Sequence, residues 1–170
     1  SSRKVWWLCS KDKRHEWQTT IANRTKSITC PICSFKRVHP TNNLLATHPE
    51  LSEEWHPTLN GDLKPEDLVH GSGKKVWWQC SLESDHYWSS QLRNRSKLNT
   101  GCPYCANHKL SKTNNLAYKC PHLLDEWHPT LNGDLDPKKI IAGGAQSVWW
   151  QCKHGHSWSA TCDSRVTSGT

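Results

Sequence analysis

"KKVWWQC", residues 74–80, returns as "SVWWQC" at 147–152 and is already written as "RKVWWLC" at 3–9. Two adjacent tryptophans with a cysteine two positions on, three times in one chain, are the mark of a repeat. Cys9 and Cys80 are 71 residues apart, and Cys80 and Cys152 are 72 apart. The stretches between them repeat as well: "TNNLLATHPELSEEWHPTLNGDLKPEDL" from Thr41 comes back as "TNNLAYKCPHLLDEWHPTLNGDLDPKKI" from Thr113. Each unit therefore has a Cys/His-rich half carrying the tryptophans and a connecting half built around "EWHPTLNGDL".

This pattern divides the chain into a first Cys/His module at 1–37 without its connector, a connector plus second module at 38–109, and a connector plus incomplete third module at 110–170. Modules of this size bury too little surface to fold on apolar contacts alone, and they need a metal, disulfides or association. With 34% hydrophobic residues, a mean hydropathy of −0.82 and no apolar run near 18 residues, the sequence carries no candidate membrane helix, and no secretory leader is visible. Methionine is absent even at position 1, so the sequence reads as a window from something longer.

Nine cysteines can form a disulfide scaffold or metal sites, and an odd count already weakens the first reading. The order Cys9, His15, Cys30, Cys33 is repeated as Cys80, His86, Cys102, Cys105, each set ending in a C-P-x-C knuckle. Three thiolates and one imidazole at matched spacing fit a tetrahedral structural zinc, whereas magnesium and calcium take oxygen ligands. Iron or a disulfide is the competing assignment. Cys152 and His156 begin a third set whose knuckle, by the same spacing, falls just past Thr170, so two complete zinc sites and a third incomplete one are expected. Cys120 and Cys162 fall on no ligand position and read as small buried thiols. His56 and His128, in "EWHP", are expected to pack or cap a turn, and His154 to be solvated.

Alternating aromatic and β-branched residues predict a β-hairpin with Cys and His near its facing ends, Val76, Trp78 and Cys80 on one side and Trp77 on the other. Trp7, Trp78, Trp150, Trp17, Trp88 and Trp158 are the candidate cores, since the chain has a single Phe. "HPELSEEWH" predicts a short helix containing Leu51 and Trp55, and "LNGDL" a turn.

The combination of "WWxC", "HxW", "NR", "CPYC" and "EWHPTLNGDL" resembles the tandem treble-clef zinc-finger repeat family, formerly described as a zinc-ribbon domain of unknown function. The resemblance covers essentially the whole chain. It implies small α+β modules, each a zinc-stabilised β-hairpin with a C-P-x-C knuckle, joined by connectors with a short helix. It also implies kinship with groups suspected of binding nucleic acid.

Charge points the same way independently. The formal net charge is +7. Each filled Cys3His site adds a net −1, which leaves about +5. Residues 1–37 hold nine Lys/Arg against two Asp/Glu, and 74–113 hold seven against two, while the connector 38–73 holds one against six. Basic zinc halves suit a polyanion. The candidate contacts are Arg24, Arg95 and Arg165, which recur between hairpin and knuckle, with Lys26, Arg93 and Lys97 flanking them. A structural role is the alternative for the recurring arginine.

Four protein ligands per complete site leave no open coordination position, and no P-loop, paired-carboxylate or triad motif is present, so the chain reads as no enzyme and as having no small-molecule substrate. Two functions fit: a module binding RNA or DNA mainly through phosphates, or a structural zinc scaffold contacting proteins in a large assembly such as an organellar ribosome or other ribonucleoprotein. Thiolate ligands place either in a reducing compartment, the nucleus, cytoplasm or an organelle matrix, and not outside the cell.

Overall fold

The computed structural model describes residues 3–168. Ser1, Ser2, Gly169 and Thr170, the outer bounds of the first and third sequence modules, lie outside the described residues. In chain order the elements are β1 (Lys4–Leu8), β2 (Glu16–Thr20), α1 (Ile21–Lys26), α2 (Leu44–Thr47), α3 (Pro49–Glu53), β3 (Lys75–Gln79) and β4 (Tyr87–Gln91). These are followed by α4 (Leu92–Ser96), α5 (Leu116–Lys119), β5 (Ser147–Gln151), β6 (Ser157–Thr161) and α6 (Cys162–Ser168), with short 3₁₀ turns in the connectors. Among the described residues the strands form three two-stranded sheets, β1 with β2, β3 with β4 and β5 with β6, the first and third antiparallel. This is the small α+β zinc-module architecture that the sequence predicts. No helix among the described residues is long and apolar enough to cross a membrane.

Compact packing groups residues 1–78 with 89–100, and residues 79–88 with 101–170. In the first unit, β1 and β2 run in register with Trp7 opposite Trp17. Cys9, Trp17, Cys30 and Ile32 form a buried cluster against which Trp7 packs. Alternation along β3 buries Val76 and Trp78 and exposes Trp77, as a strand with one covered face requires. In the second unit Val148 and Trp150 of β5 repeat the pattern. They join Leu116, Cys120, Leu123, Ile140 and Cys162 in one core. Cys120 and Cys162 are thus buried packing residues, and burial pushes the Cys162 thiol up to about 11.

The inward-facing indoles need a partner for their N–H, and each finds one across its hairpin: Trp7 donates to the Thr19 carbonyl, Trp78 to that of Ser90 and Trp150 to that of Ala160. Three of the short helices are started by a side-chain cap. Thr20 accepts from the Asn23 N–H at the start of α1, and Asn43 and Asn115 accept from the N–H of Ala46 and Tyr118 to start α2 and α5. Pro49 opens α3, which ends at Glu53. Trp55, expected inside that helix, lies beyond it and instead makes an isolated antiparallel bridge to Trp78. The corresponding segment Pro121–Glu126 is 3₁₀ rather than α. "LNGDL" turns as expected, with Gly61 and Gly133 at φ 58° and 55°, where a side chain would be strained.

Candidate metal centres

Cys9 follows β1, and its N–H donates to the His15 carbonyl at 3.0 Å, so the hairpin end sets both ligands side by side. The loop between them is tied by Asp12, whose carboxylate accepts from the Arg14 N–H and guanidinium. That pairing holds the Asp12 carboxyl well below the usual carboxylate range. Cys80 and His86 are joined in the same way at 2.9 Å.

The other two ligands come from the knuckle. After Cys30 the chain folds back on itself: Ser34 N–H donates to the Cys30 carbonyl, and Lys36 and Arg37 N–H both donate to that of Pro31. Cys102 repeats this with Ala106, and Pro103 with His108 and Lys109. Closing the turn puts one residue into the left-handed region, Phe35 at φ 57° and Asn107 at φ 56°. Asparagine tolerates that conformation readily, whereas a bulky aromatic there is strained.

The ligand atoms of Cys9, His15, Cys30 and Cys33, and likewise of Cys80, His86, Cys102 and Cys105, all lie within 4.8 Å of one another. Cys9 and Cys33 Sγ are 3.6 Å apart, and His15 Nδ1 is 3.3 Å from Cys33 Sγ and 3.9 Å from Cys30 Sγ. In the second set Cys80 and Cys105 Sγ are 3.6 Å apart, and His86 Nδ1 is 3.5 Å from Cys105 Sγ and 3.7 Å from Cys102 Sγ. A tetrahedral zinc with Zn–S near 2.3 Å and Zn–N near 2.0 Å has edges of roughly 3.8 Å between sulfurs and roughly 3.5 Å between sulfur and nitrogen. The donor sets therefore fit zinc in size and in chemistry, and each can hold one ion.

The ring nitrogen facing away from the sulfurs is also committed. His15 Nε2 lies 2.7 Å from Thr41 Oγ1, and the same hydroxyl lies 2.9 Å from His39 Nδ1. His86 Nε2 lies 3.0 Å from Thr113 Oγ1 and 2.8 Å from Ser111 Oγ, and Thr113 donates to Asp85 at 2.8 Å. A proton on Nε2 satisfies both chains of bonds and leaves the Nδ1 lone pair facing the sulfurs, as a metal ligand requires. Burial pushes the Asp85 carboxyl up, but the bonds from Thr113 and the Lys112 N–H outweigh it and the net shift is downward.

The thiols are not equivalent. Backbone N–H groups of Asp12 and Lys11 directed at Cys9 lower it to about 6. Desolvation, followed by the adjoining sulfurs of Cys9 and Cys30, raises Cys33 to about 11. Three thiolates packed this closely repel one another unless a cation sits among them.

These are treble-clef zinc modules in tandem. The chain belongs to the family described as "Probable Treble clef zinc finger domain", which matches residues 1–36, 51–108 and 123–170. Comparison with curated proteins gave no match.

Among the described residues, no further ligand joins Cys152 and His156 to make a third cluster. His156 and His154 are both exposed, and Cys162 is committed to the core. His56 and His128 cap turns, each Nδ1 accepting two backbone N–H bonds, from Thr58 and Leu59 and from Thr130 and Leu131.

The recurring arginines require a correction. Arg95 and Arg165, read from the sequence as phosphate contacts, are each only 6% exposed. Arg95 pairs with Glu54 and lies over the Trp78 ring, and Arg165 pairs with Glu126 and lies over Trp150 and Trp158. A buried guanidinium needs a carboxylate, and the acidic connector supplies one. Arg24 is half-buried over Trp7 and Trp17 and donates to the Ser27 carbonyl. Lys26, Arg93 and Lys97 are exposed. Lys36 and Arg37, which sequence reasoning did not single out, are exposed beside the first knuckle. Their signal was present in the basic count of residues 1–37, but it recurs only in part in the second module, where His108 stands in the place of Lys36 and Lys109 in that of Arg37.

Proposed function

We propose that the chain is a non-catalytic, zinc-organised module that binds nucleic acid, RNA or DNA, mainly through phosphates. The observation that carries this reading is a concave groove of about 290 Å³ on the first module, between α1 and the zinc knuckle. Arg24, Lys36 and Arg37 line it together with the hydroxyls of Thr19, Ser27 and Thr29. Convergent cations and hydroxyl donors in a shallow cleft are what a phosphodiester backbone takes. Lys26 on α1, and Arg93 and Lys97 on and after α4, add exposed cations to the basic halves of the repeat.

Four protein ligands at each cluster support a structural rather than a catalytic metal. Thiolate ligation supports a reducing compartment inside the cell. The competing reading, a structural component of a large assembly, draws on the exposed Trp6 edge of β1.

A gel shift with bare RNA and DNA across a salt series tests the proposal. Replacing Lys26, Lys36, Arg37, Arg93 and Lys97 with Ser should weaken binding and reduce the salt slope by about one unit per lost phosphate contact. Zinc content should stay unchanged. An unaltered slope in a variant that keeps its zinc, or no binding by the native chain at low salt, favours the assembly reading.

A further inference from the structure

The second and third hairpins show what covers the outer edge of a "WW" strand in this fold. In the first unit Glu54 pairs with Arg95, and Trp55 stands edge-on to Trp78 with ring centroids 5.7 Å apart. The His56 N–H and Asn60 Nδ2 donate to the Trp77 carbonyl at 3.1 and 2.9 Å, and Asn60 Oδ1 accepts from the Trp77 N–H at 2.8 Å. In the second unit the set is repeated: Glu126 with Arg165, Trp127 edge-on to Trp150 at 5.9 Å, and the Trp149 backbone bonded by His128 N–H and both ends of the Asn132 amide. One segment thus supplies a carboxylate, an indole and a side chain that mimics a strand edge.

The first hairpin has the same receiving groups. Trp6 faces Gln18 in the register, and Cys9 bonds His15. Because bonded and non-bonded pairs alternate in an antiparallel ladder, the Trp6 N–H and carbonyl point away from β2, as those of Trp77 and Trp149 point away from their hairpins. Trp6 is 67% exposed, against 36% for Trp77 and 39% for Trp149. Val5 and Trp7 are half-buried, where Val76, Trp78, Val148 and Trp150 are fully buried. Arg24 occupies the place of Arg95 and Arg165 over the indoles, but among the described residues its one polar partner is the Ser27 carbonyl.

We propose that this face of the first hairpin is a docking seat for the connector segment of a further repeat, a stretch carrying Glu-Trp-His-Pro with an asparagine four residues after the histidine. The glutamate pairs with Arg24, the tryptophan closes over Trp7, and the histidine N–H and asparagine amide take the Trp6 backbone. The chemistry is that of a peptide edge and a carboxylate; Arg24 also lines the basic groove, but the seat is built on the Trp6 backbone and the Trp7 ring and does not depend on the nucleic-acid reading.

The test joins a copy of residues 49–73 to the full zinc-loaded chain ahead of Arg3, in place of Ser1 and Ser2. This reproduces the spacing from Trp55 to Trp77. Two bound zinc ions per chain certify the host fold. The expected result is at least a tenfold slowing of Trp6 amide exchange and a shift of the Arg24 Nε resonance. Glu54→Gln in the appended copy should reverse the Arg24 shift, and Asn60→Leu in the copy should restore Trp6 exchange. The same 25 residues as a free peptide, titrated into the unaltered chain, should move the same two signals. Trp6 exchange and Arg24 resonance indifferent to both forms would overturn the proposal. So would equal protection by an appended copy carrying Glu54→Gln, Trp55→Ser and Asn60→Leu together.

Discussion

Thr41 Oγ1 sits 2.7 Å from His15 Nε2, on the ring edge opposite the sulfurs, and Thr113 holds the same place beside His86 at 3.0 Å. The two threonines open the "TNNL" stretches, which lie between the spans matched by the family. Thr41→Val should remove the hydroxyl that fixes the His15 tautomer and lower zinc affinity at that cluster by about 10–100-fold, whereas Thr113→Val should cost less, because Ser111 Oγ lies 2.8 Å from the same His86 nitrogen. Chelator competition on each variant measures it. Affinity equal to that of the native chain would show that the imidazole needs no such anchor.

Metal analysis should find two zinc ions per chain. Cys30→Ser should reduce the count by one, whereas Cys152→Ser should leave it at two. A chelator should abolish cooperative unfolding and alter the tryptophan emission, because folding and metal binding are linked in modules of this size. Cooperative unfolding that survives complete zinc removal contradicts this.

Removing the carboxylate from a buried pair leaves a guanidinium uncompensated. Glu54→Gln should destabilise the first unit by about 3 kcal/mol, the lower end for breaking a buried ion pair. Glu126→Gln should cost less, since the Glu126 side chain is more exposed than that of Glu54. Denaturant midpoints of the two variants, compared with the native chain, provide the check.

Burial raises Cys162 to about 11, so roughly one part in a thousand is thiolate at pH 8. With zinc bound, an alkylating reagent at that pH should modify Cys152 readily and spare Cys120 and Cys162, with the six ligand cysteines reacting only after chelation. The same shift carries a pH dependence. The folded-state value lies above the ordinary one, so its contribution is fully present below pH 9 and is lost as pH climbs from 9 toward 11. Cys162→Ala should flatten that loss in urea titrations, and an unchanged slope would remove Cys162 as its source.

Spacing alone picked out the eight residues that the fold gathers into the two clusters, because a tetrahedral site constrains residue type and order whatever the surroundings. Alternation likewise revealed which tryptophan of each pair turns inward. The Arg95–Glu54 and Arg165–Glu126 pairs were not legible. Their members are 41 and 39 residues apart, and a repeat shows that both recur without showing that they meet. The "TNNL" stretch was hidden for a different reason: its four residues have four separate duties. Thr41 orients His15, Asn42 donates to the carbonyls of Ile32 and Arg37, Asn43 caps α2 and Leu44 is buried. No single periodicity expresses that. Asp12 and Asp85 stand at different offsets from their histidines, so alignment of the two copies could not pair them either.

Asn60 and Asn132 occupy the outward hydrogen-bonding positions of β3 and β5 with a side chain, not a strand. Near-identical hairpins on one polypeptide are kept at high local concentration, and bare strand edges of matching sequence invite pairing between the wrong copies. An amide that fills both the donor and the acceptor position of the central tryptophan leaves an incoming strand nothing to bond there. The same asparagines that fasten each connector to its hairpin thereby insulate one repeat from the next while the array folds.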